Sequence, residues 1–183
     1  MTAVAQPIGI LQLVDTLDPG GMERVAVNIA NYLPRDRCVS HLGTTRREGA
    51  LASQMAPHVQ RLRLDRQDRF DRSALRRLNA YIAEHRIEVL HAHSTSIFLA
   101  LAASFFGRRP KVIWHDHSGG FRDEKRSVWI YRLAARRLGG VIAVNQALAD
   151  WSRIQLRLPA DRVWYIRNFV CPPPSVAPAP DLP

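Results

Sequence analysis

Two histidine pairs, each with its members one residue apart and each followed by a serine, are the densest chemistry in this 183-residue sequence. His91 and His93 precede Ser94 in H-A-H-S, and His115, Asp116 and His117 precede Ser118 in H-D-H-S-G-G. Both runs close an apolar stretch. Side chains two apart on a strand share a face, so each pair can aim both imidazoles the same way. Imidazole can hold or move a proton near neutrality, and it is a common ligand of zinc. Two readings stand side by side: four histidines and an aspartate binding zinc, as in a metal-dependent hydrolase, or side chains that cap strands and bond neighbouring loops. No third cluster completes a metal site in the sequence, so no metal is expected. His91 and His115 read as satisfied structural histidines. His93 and His117 reach furthest past the strand ends and are the candidates for ligand contact, with Ser94 and Ser118 beside them.

A second constellation lies near the start. The apolar run at residues 8–14 (I-G-I-L-Q-L-V) reads as a strand buried on both faces, and D-T-L-D-P-G-G-M-E-R follows it. Pro19 presets one φ angle and Gly20 is free to take a positive φ, which predicts a sharp turn. Gly21 brings no side chain to the mouth of a helix, where free backbone N–H groups and the positive dipole end favour an anion. That outlines a phosphate or sugar-phosphate contact; a tight βα turn without a ligand is the other reading. Glu23 either joins such a site or serves as a first-turn partner of the helix dipole. The fingerprint G-x-G-x-x-G and an acidic residue after the second strand are both missing, which disfavours a nicotinamide oxidoreductase. A Walker-A loop, a G-x-S-x-G elbow and a cysteine triad are missing too.

Holding these residues in place takes a regular scaffold, and strand-like and helix-like segments alternate throughout. Strands are predicted at residues 8–14, 37–44, 58–64, 87–91, 111–114, 141–144 and 163–166. The first helix carries Met22, Val25, Ala26, Ile29 and Leu33 at a 3.6-residue period. A helix at 50–56 follows, then one capped by Asp71 or Ser73 that runs to His85 over Leu75, Leu78, Tyr81 and Ile82. An apolar helix at 96–106 ends at Gly107 and Pro110, another from about 124 to 138 is closed by Gly139-Gly140, and the last covers about 146–156. The alternation predicts a Rossmann-like, doubly wound α/β fold, with a mostly parallel sheet of about six or seven strands and helices on both faces. Such sheets bind ligands at the carboxyl ends of their strands.

Composition bounds the rest. The length suits one domain, residues 1–170, and the 46% apolar content is that of an ordinary globular protein. No apolar run approaches the ~20 residues of a membrane span. Two distant cysteines make neither a disulfide framework nor a metal motif, and with no secretory leader in view a cytoplasmic location is expected. From Pro172 the chain holds six of its twelve prolines, so residues 171–183 read as an extended linker to an absent second domain. Twenty-six basic against sixteen acidic side chains leave a charge of +10, carried almost wholly by arginine. Arg72, Arg76, Arg77 and Arg86 load one helix. On the next basic helix Lys125, Trp129, Arg132 and Arg136 share a face suited to an anionic membrane surface, or simply to water. No nucleic-acid module accompanies the arginines.

Five segments, in order, resemble glycosyltransferase family 4. L-V-D-T-L-D-P-G-G-M-E-R-V-A-V-N-I-A is similar to its first βα unit, V-L-H-A-H-S to its fourth strand, and K-V-I-W-H-D-H-S to the strand ending in its active-site histidine. V-I-A-V-N-Q-A-L-A-D and V-W-Y-I-R-N-F-V are similar to its "viavS" segment and to its closing "v-x-v-I-x-N-G-V". The resemblance implies two facing Rossmann-like domains with the site between them, and retaining transfer from a nucleotide-sugar without an essential metal or cofactor. This chain would be the acceptor-side domain. Gly20 and Gly21 would bring backbone N–H groups to donor phosphates or acceptor, and His117 would contact the donor sugar near the reacting carbon. A glycan or lipid-linked acceptor is the implied partner. Asn145 departs from the usual serine, and Phe169 and Cys171 stand where Gly and Asp are common. The E-x7-E motif and Arg-Lys pair of the family's other domain have no counterpart, so the chain alone is expected not to turn over. The alternative is a free-standing module that binds a sugar or phospholipid and needs a partner chain.

Overall fold

The computed structural model describes residues 6–118, 127–169 and 171. The apolar runs form β1 (Ile8–Thr16), β2 (Cys38–Arg47), β3 (Gln60–Arg63), β4 (Ile87–His93), β5 (Lys111–Asp116), β6 (Leu138–Ala143) and β7 (Val163–Tyr165). Between them lie α1 (Gly21–Tyr32), α2 (Arg72–Glu84), α3 (Ile97–Ser104), α4 (Val128–Ala135) and α5 (Gln146–Ile154). The seven strands make one parallel sheet in the order β3-β2-β1-β4-β5-β6-β7. This is the Rossmann-like α/β architecture that the alternation predicts. The strand order reverses between β1 and β4, which opens a crevice at their carboxyl ends.

Right-handed crossovers distribute the helices. Leaving β1 and β2 toward β3, the chain lays α1 and a short 3-10 turn (Ala50–Gln54) on one face. Val14, Leu17, Ala26, Val27, Leu42 and Leu51 pack together there. Returning past β1, it lays α2 to α5 on the opposite face, over a larger core that includes Leu13, Leu78, Leu90, Ala100, Val141 and Leu148. Each leucine or valine among them contributes about 1.5–3 kcal/mol by leaving water. Helices α2 and α5 begin on side-chain caps. Asp71 accepts the Ser73 and Ala74 N–H groups at 2.9 and 3.0 Å, and Asn145 accepts that of Leu148 at 2.9 Å. Asn145 thus does for α5 what a serine would do.

Four details differ from the sequence reading. The helix expected at 50–56 is only a 3-10 turn, because Pro57 disfavours helical backbone at Ala56 and the Leu51 N–H is drawn to Leu17 O. Gly139-Gly140 lie inside β6 rather than closing α4, since the Trp164 indole covers Gly140 where any Cβ would overlap it. The buried face of α1 is wider than its stripe: Val25, Ala26, Val27, Asn28 and Ala30 are buried, while Met22, Ile29 and Leu33 are half-buried. Strands β1, β4 and β5 each run two residues further, to Thr16, His93 and Asp116, and β2 three further, to Arg47. The expected helix start near 124, Lys125, the Gly119-Gly120 pair and the proline-rich stretch 172–183 lie outside the described residues.

Candidate active site

The side chains of the crevice are set by register. Gln12 on β1 pairs with His91 on β4, and His93 pairs with His115 on β5. Paired residues in a parallel sheet share a face, so Gln12 and the two H-x-H pairs all project on the α1 side. The imidazoles then stack. Ring centroids lie 4.7 Å apart for His91 and His93, 5.2 Å for His91 and His115, and 4.0 Å for His115 and His117. A hydrogen-bonded line crosses the stack: Gln12 Oε1 is 2.9 Å from His93 Nε2, and His93 Nδ1 is 3.0 Å from His117 Nε2. With the amide oxygen facing His93, Nε2–H of His93 donates to Gln12. His93 Nδ1 then accepts from Nε2–H of His117, leaving the Nδ1 lone pair of His117 as the end of the line.

Burial keeps all four rings neutral at physiological pH. Desolvation is the leading cause in each, helped by the neighbouring rings' charges for His91, His93 and His115. His91 is lowered to about 3 and His115 to about 2. His117 falls to about 4 by desolvation, against the opposing pull of the Asp116 carboxylate and the Asn168 side chain. His117 is half-buried, and its Nδ1 has no hydrogen-bond partner among the described residues.

Two expectations for these histidines are corrected. His91 and His115 are structural but not satisfied: His91 Nε2 and both nitrogens of His115 are buried without a hydrogen-bond partner among the described residues. Stacking of the rings holds them in place. His93 ends β4 rather than standing beyond it. It is 1% exposed with both nitrogens engaged, so it backs His117 from behind.

Nitrogens of His91, His93 and His115 come within 4.8 Å of one another, which raises the question of a metal. Zinc needs nitrogens converging at about 2.0–2.1 Å from one point. The His91 and His115 rings lie 6° from parallel, and both nitrogens of His93 are engaged, by Gln12 and by His117. A metal at such a point would require His93 to give up its bond to Gln12 or to His117.

At the other side of the crevice Gly20 is the residue before α1, with φ −160° and ψ 165°. This is extended backbone, not the positive φ expected. The absence of a side chain matters for another reason: a Cβ on Gly20 would collide with the Glu23 carboxylate, which folds back over the helix start. Glu23 therefore complements the positive end of α1 in this structure. Gly21 is exposed, and a Cβ there would meet no heavy atom within 4 Å. Packing does not ask for glycine at 21, and the backbone there lies open to a ligand.

Asp15, which the sequence reading passed over, ties the crevice together. Its carboxylate accepts the Thr45 hydroxyl at 2.5 Å and the Thr95 hydroxyl at 2.6 Å, and Arg66 lies 3.6 Å away. These contacts join the ends of β1 and β2, the loop after β3 and the turn after β4. Gly49 braces the Gly-Gly loop, because any Cβ there would run into the Leu17–Asp18 backbone. Ser94 sits at φ 49°, and its carbonyl accepts Trp114 Nε1–H at 3.1 Å. A positive φ at a non-glycine residue beside a crevice is a form of local strain that gathers at functional sites. Ser118 follows β5 and donates its N–H to Asp116 Oδ1 at 3.2 Å. Gly20, Gly21, Glu23, Ser94, His117 and Ser118 thus all lie at the carboxyl edge of the sheet. Gln12, Asp15 and Asn168 are the additions. The only local signal for the first two is polarity inside and just after an apolar strand.

The fold and this edge define a Rossmann-like domain whose polar side chains gather at a strand-order reversal. The family model for Glycosyltransferase Family 4 matches residues 19–172, and the chain belongs to that family. Among solved structures it is similar to a glycosyltransferase from Rickettsia africae ESF-5, with TM-score 0.62 and 14% identity over 89% of this chain and 43% of that one. It is also similar to Anabaena Alr3699/HepE in complex with UDP (TM-score 0.60, 22% identity, 88% and 44% coverage). A UDP-N-acetylglucosamine 2-epimerase from Rickettsia bellii matches with TM-score 0.60 at 11% identity, covering 87% and 44%. The chain spans under half the length of these three proteins. No match is found among curated proteins.

Proposed function

We propose that this chain is the acceptor-side half of a retaining glycosyltransferase that moves a sugar from a nucleotide-sugar onto a glycan or lipid-linked acceptor of the cell envelope. The observation that carries the reading is the pairing, at one edge of a family 4 domain, of an open helix start at Gly21 with the uncharged imidazole of His117. The helix start offers N–H groups and a positive dipole end to phosphate or sugar oxygens. The imidazole offers a hydrogen-bonding nitrogen of fixed direction, which can position a sugar hydroxyl as positive charge develops at the reacting carbon. Neither needs a covalent nucleophile, a metal or a cofactor. A nucleotide-sugar donor is further supported by the UDP bound to the Anabaena relative. The residues for gripping the nucleotide belong to a second domain following a linker at 171–183. We place the protein in the cytoplasm, at the inner face of the membrane; the free Cys38 and Cys171 accord with a reducing compartment.

Sugar transfer should be measured with a panel of nucleotide-sugars, for the chain alone and for the chain joined to the nucleotide-binding half of a family 4 enzyme. Turnover is expected only from the joined form, and His117→Ala should lower it by roughly 100-fold or more. Transfer by the chain alone would show that no second half is needed. An undiminished rate in His117→Ala would remove the imidazole from the mechanism. A joined form that binds acceptor glycan yet never transfers sugar would favour the binding-module alternative.

A further inference from the structure

Away from the crevice, six large apolar side chains stand in solvent along α3 and α4. Phe98, Phe105 and Phe106 are 41%, 48% and 60% exposed, and Trp129, Ile130 and Leu133 are 69%, 39% and 56% exposed. The two helices are joined at both ends. Phe98 meets Tyr131 with ring centroids 5.5 Å apart, and the Arg137 guanidinium lies 4.4 Å over the Phe105 ring. The inward side of α4 is taken up by Tyr131 and Ala135, so the exposed arc runs through Trp129, Leu133, Arg136, Arg137 and Ile130. This differs from the face expected from sequence. Arg132 turns toward α5 and donates Nε–H to Gln155 O at 2.8 Å, so it belongs to the fold rather than the surface.

Among the described residues of α3, α4 and the turns after them, the exposed charges are all basic. Residues 89–115 and 127–149 contain no aspartate or glutamate, yet they supply Arg108, Arg109, Arg136 and Arg137, all exposed. A monomer keeps few grouped apolar side chains in water without a use for them. Aromatic side chains rimmed by arginine suit the boundary between lipid headgroups and acyl chains, where apolar rings bury and guanidinium groups meet phosphate. A second copy would bring the same four arginines against these four, which opposes self-association. The patch also reaches the amino edge of the sheet at Phe105, Arg108 and Arg109, opposite the candidate site. We propose that the α3–α4 face docks the protein on an anionic lipid bilayer, with Trp129 and Leu133 entering the headgroup region and Arg136 and Arg137 pairing with lipid phosphates. This does not depend on the sugar-transfer reading.

Flotation of the chain with vesicles of phosphatidylcholine, alone or with about one-third phosphatidylglycerol, tests it. Recovery should be confined to the anionic vesicles and should fall with added salt. The double variant Arg136→Gln/Arg137→Gln should weaken partitioning roughly thirtyfold, since each basic side chain near an anionic surface adds close to a factor of five. Trp129→Ser/Leu133→Ser should weaken it at every salt concentration, and Arg72→Gln/Arg76→Gln on the outer side of α2 should leave it nearly unchanged. All six positions are exposed, and unaltered circular dichroism melts would verify folding. Equal recovery from neutral and anionic vesicles overturns the proposal. So does equal loss in the α2 variant, which would assign the binding to net charge alone. A concentration-dependent dimer abolished by Trp129→Ser/Leu133→Ser, without lipid binding, would also overturn it by giving the face to a second copy.

Discussion

Because Gln12 accepts from His93, and His93 in turn accepts from His117, the amide orientation of one buried glutamine sets which nitrogen of His117 faces the crevice without a proton. Reversing that amide would reverse both bonds and hand the proton to the other nitrogen. Gln12→Leu keeps a similar volume but leaves the His93 N–H buried with no acceptor, which costs about 1–3 kcal/mol. Urea denaturation should show that loss, and nitrogen chemical shifts of His117 should report a change of tautomer. A variant as stable as the parent, with unchanged shifts, would mean that Gln12 only fills space. Little of this was legible in sequence. The spacing H-x-H puts two imidazoles on one face, but that both pairs and Gln12 meet depends on β1, β4 and β5 being neighbours in register. Those pairings join residues up to 79 positions apart, as Gln12 and His91 are, beyond the reach of any local pattern.

At the scale of elements, the loop from β1 into α1 separates packing from binding. Gly49 is a glycine by necessity, since the Leu17–Asp18 backbone occupies the place of its Cβ. Gly49→Ala should therefore destabilise the protein by about 1–3 kcal/mol or displace the loop. Gly21 opens the helix with free space around it, so Gly21→Ala should leave stability unchanged or raise it by up to ~1 kcal/mol. If the open backbone at 21 is where a ligand approaches, the same variant should lose acceptor or donor affinity in the joined enzyme. Thermal melts paired with binding isotherms test both variants, and a Gly21→Ala protein that binds as tightly as the parent would dismiss a ligand there. Element type and order were readable from the sequence because apolar runs and 3.6-residue stripes are local. The misreadings came from tertiary causes. Gly20 is extended because Glu23, not the turn, claims its missing side chain. The pair Gly139-Gly140 looks like a helix stop, yet it enters β6 because Trp164 from the neighbouring strand needs the room.

For the whole molecule, neutral buried histidines on both faces of the sheet make acid the weak side of its stability. His41 lies opposite the site, 2.9 Å from the Tyr81 hydroxyl, and is lowered to about 4 by desolvation and then by the charge of His85. With His91, His115 and His117 it binds no proton in the folded state near pH 6, whereas an unfolded histidine takes one up around pH 6.5. The unfolded chain thus binds more protons, and stability must fall as pH drops below about 6.5. The loss continues toward pH 4 for His41 and His117, and lower still for the two deeper rings. At pH 5 each such group costs about 2 kcal/mol, though the stacked rings repel one another once charged and do not add independently. Against a total stability of about 5–15 kcal/mol, this is a sizeable share to lose under mild acid. Denaturant midpoints should stay level from pH 8 to 7 and then drop steeply between pH 6.5 and 5. The drop should be shallower in His41→Gln/His115→Gln, which removes one titrating ring from each face. Midpoints that stay flat to pH 5 in the parent, or a slope untouched by the double substitution, would mean that these imidazoles gain their protons without opening the fold.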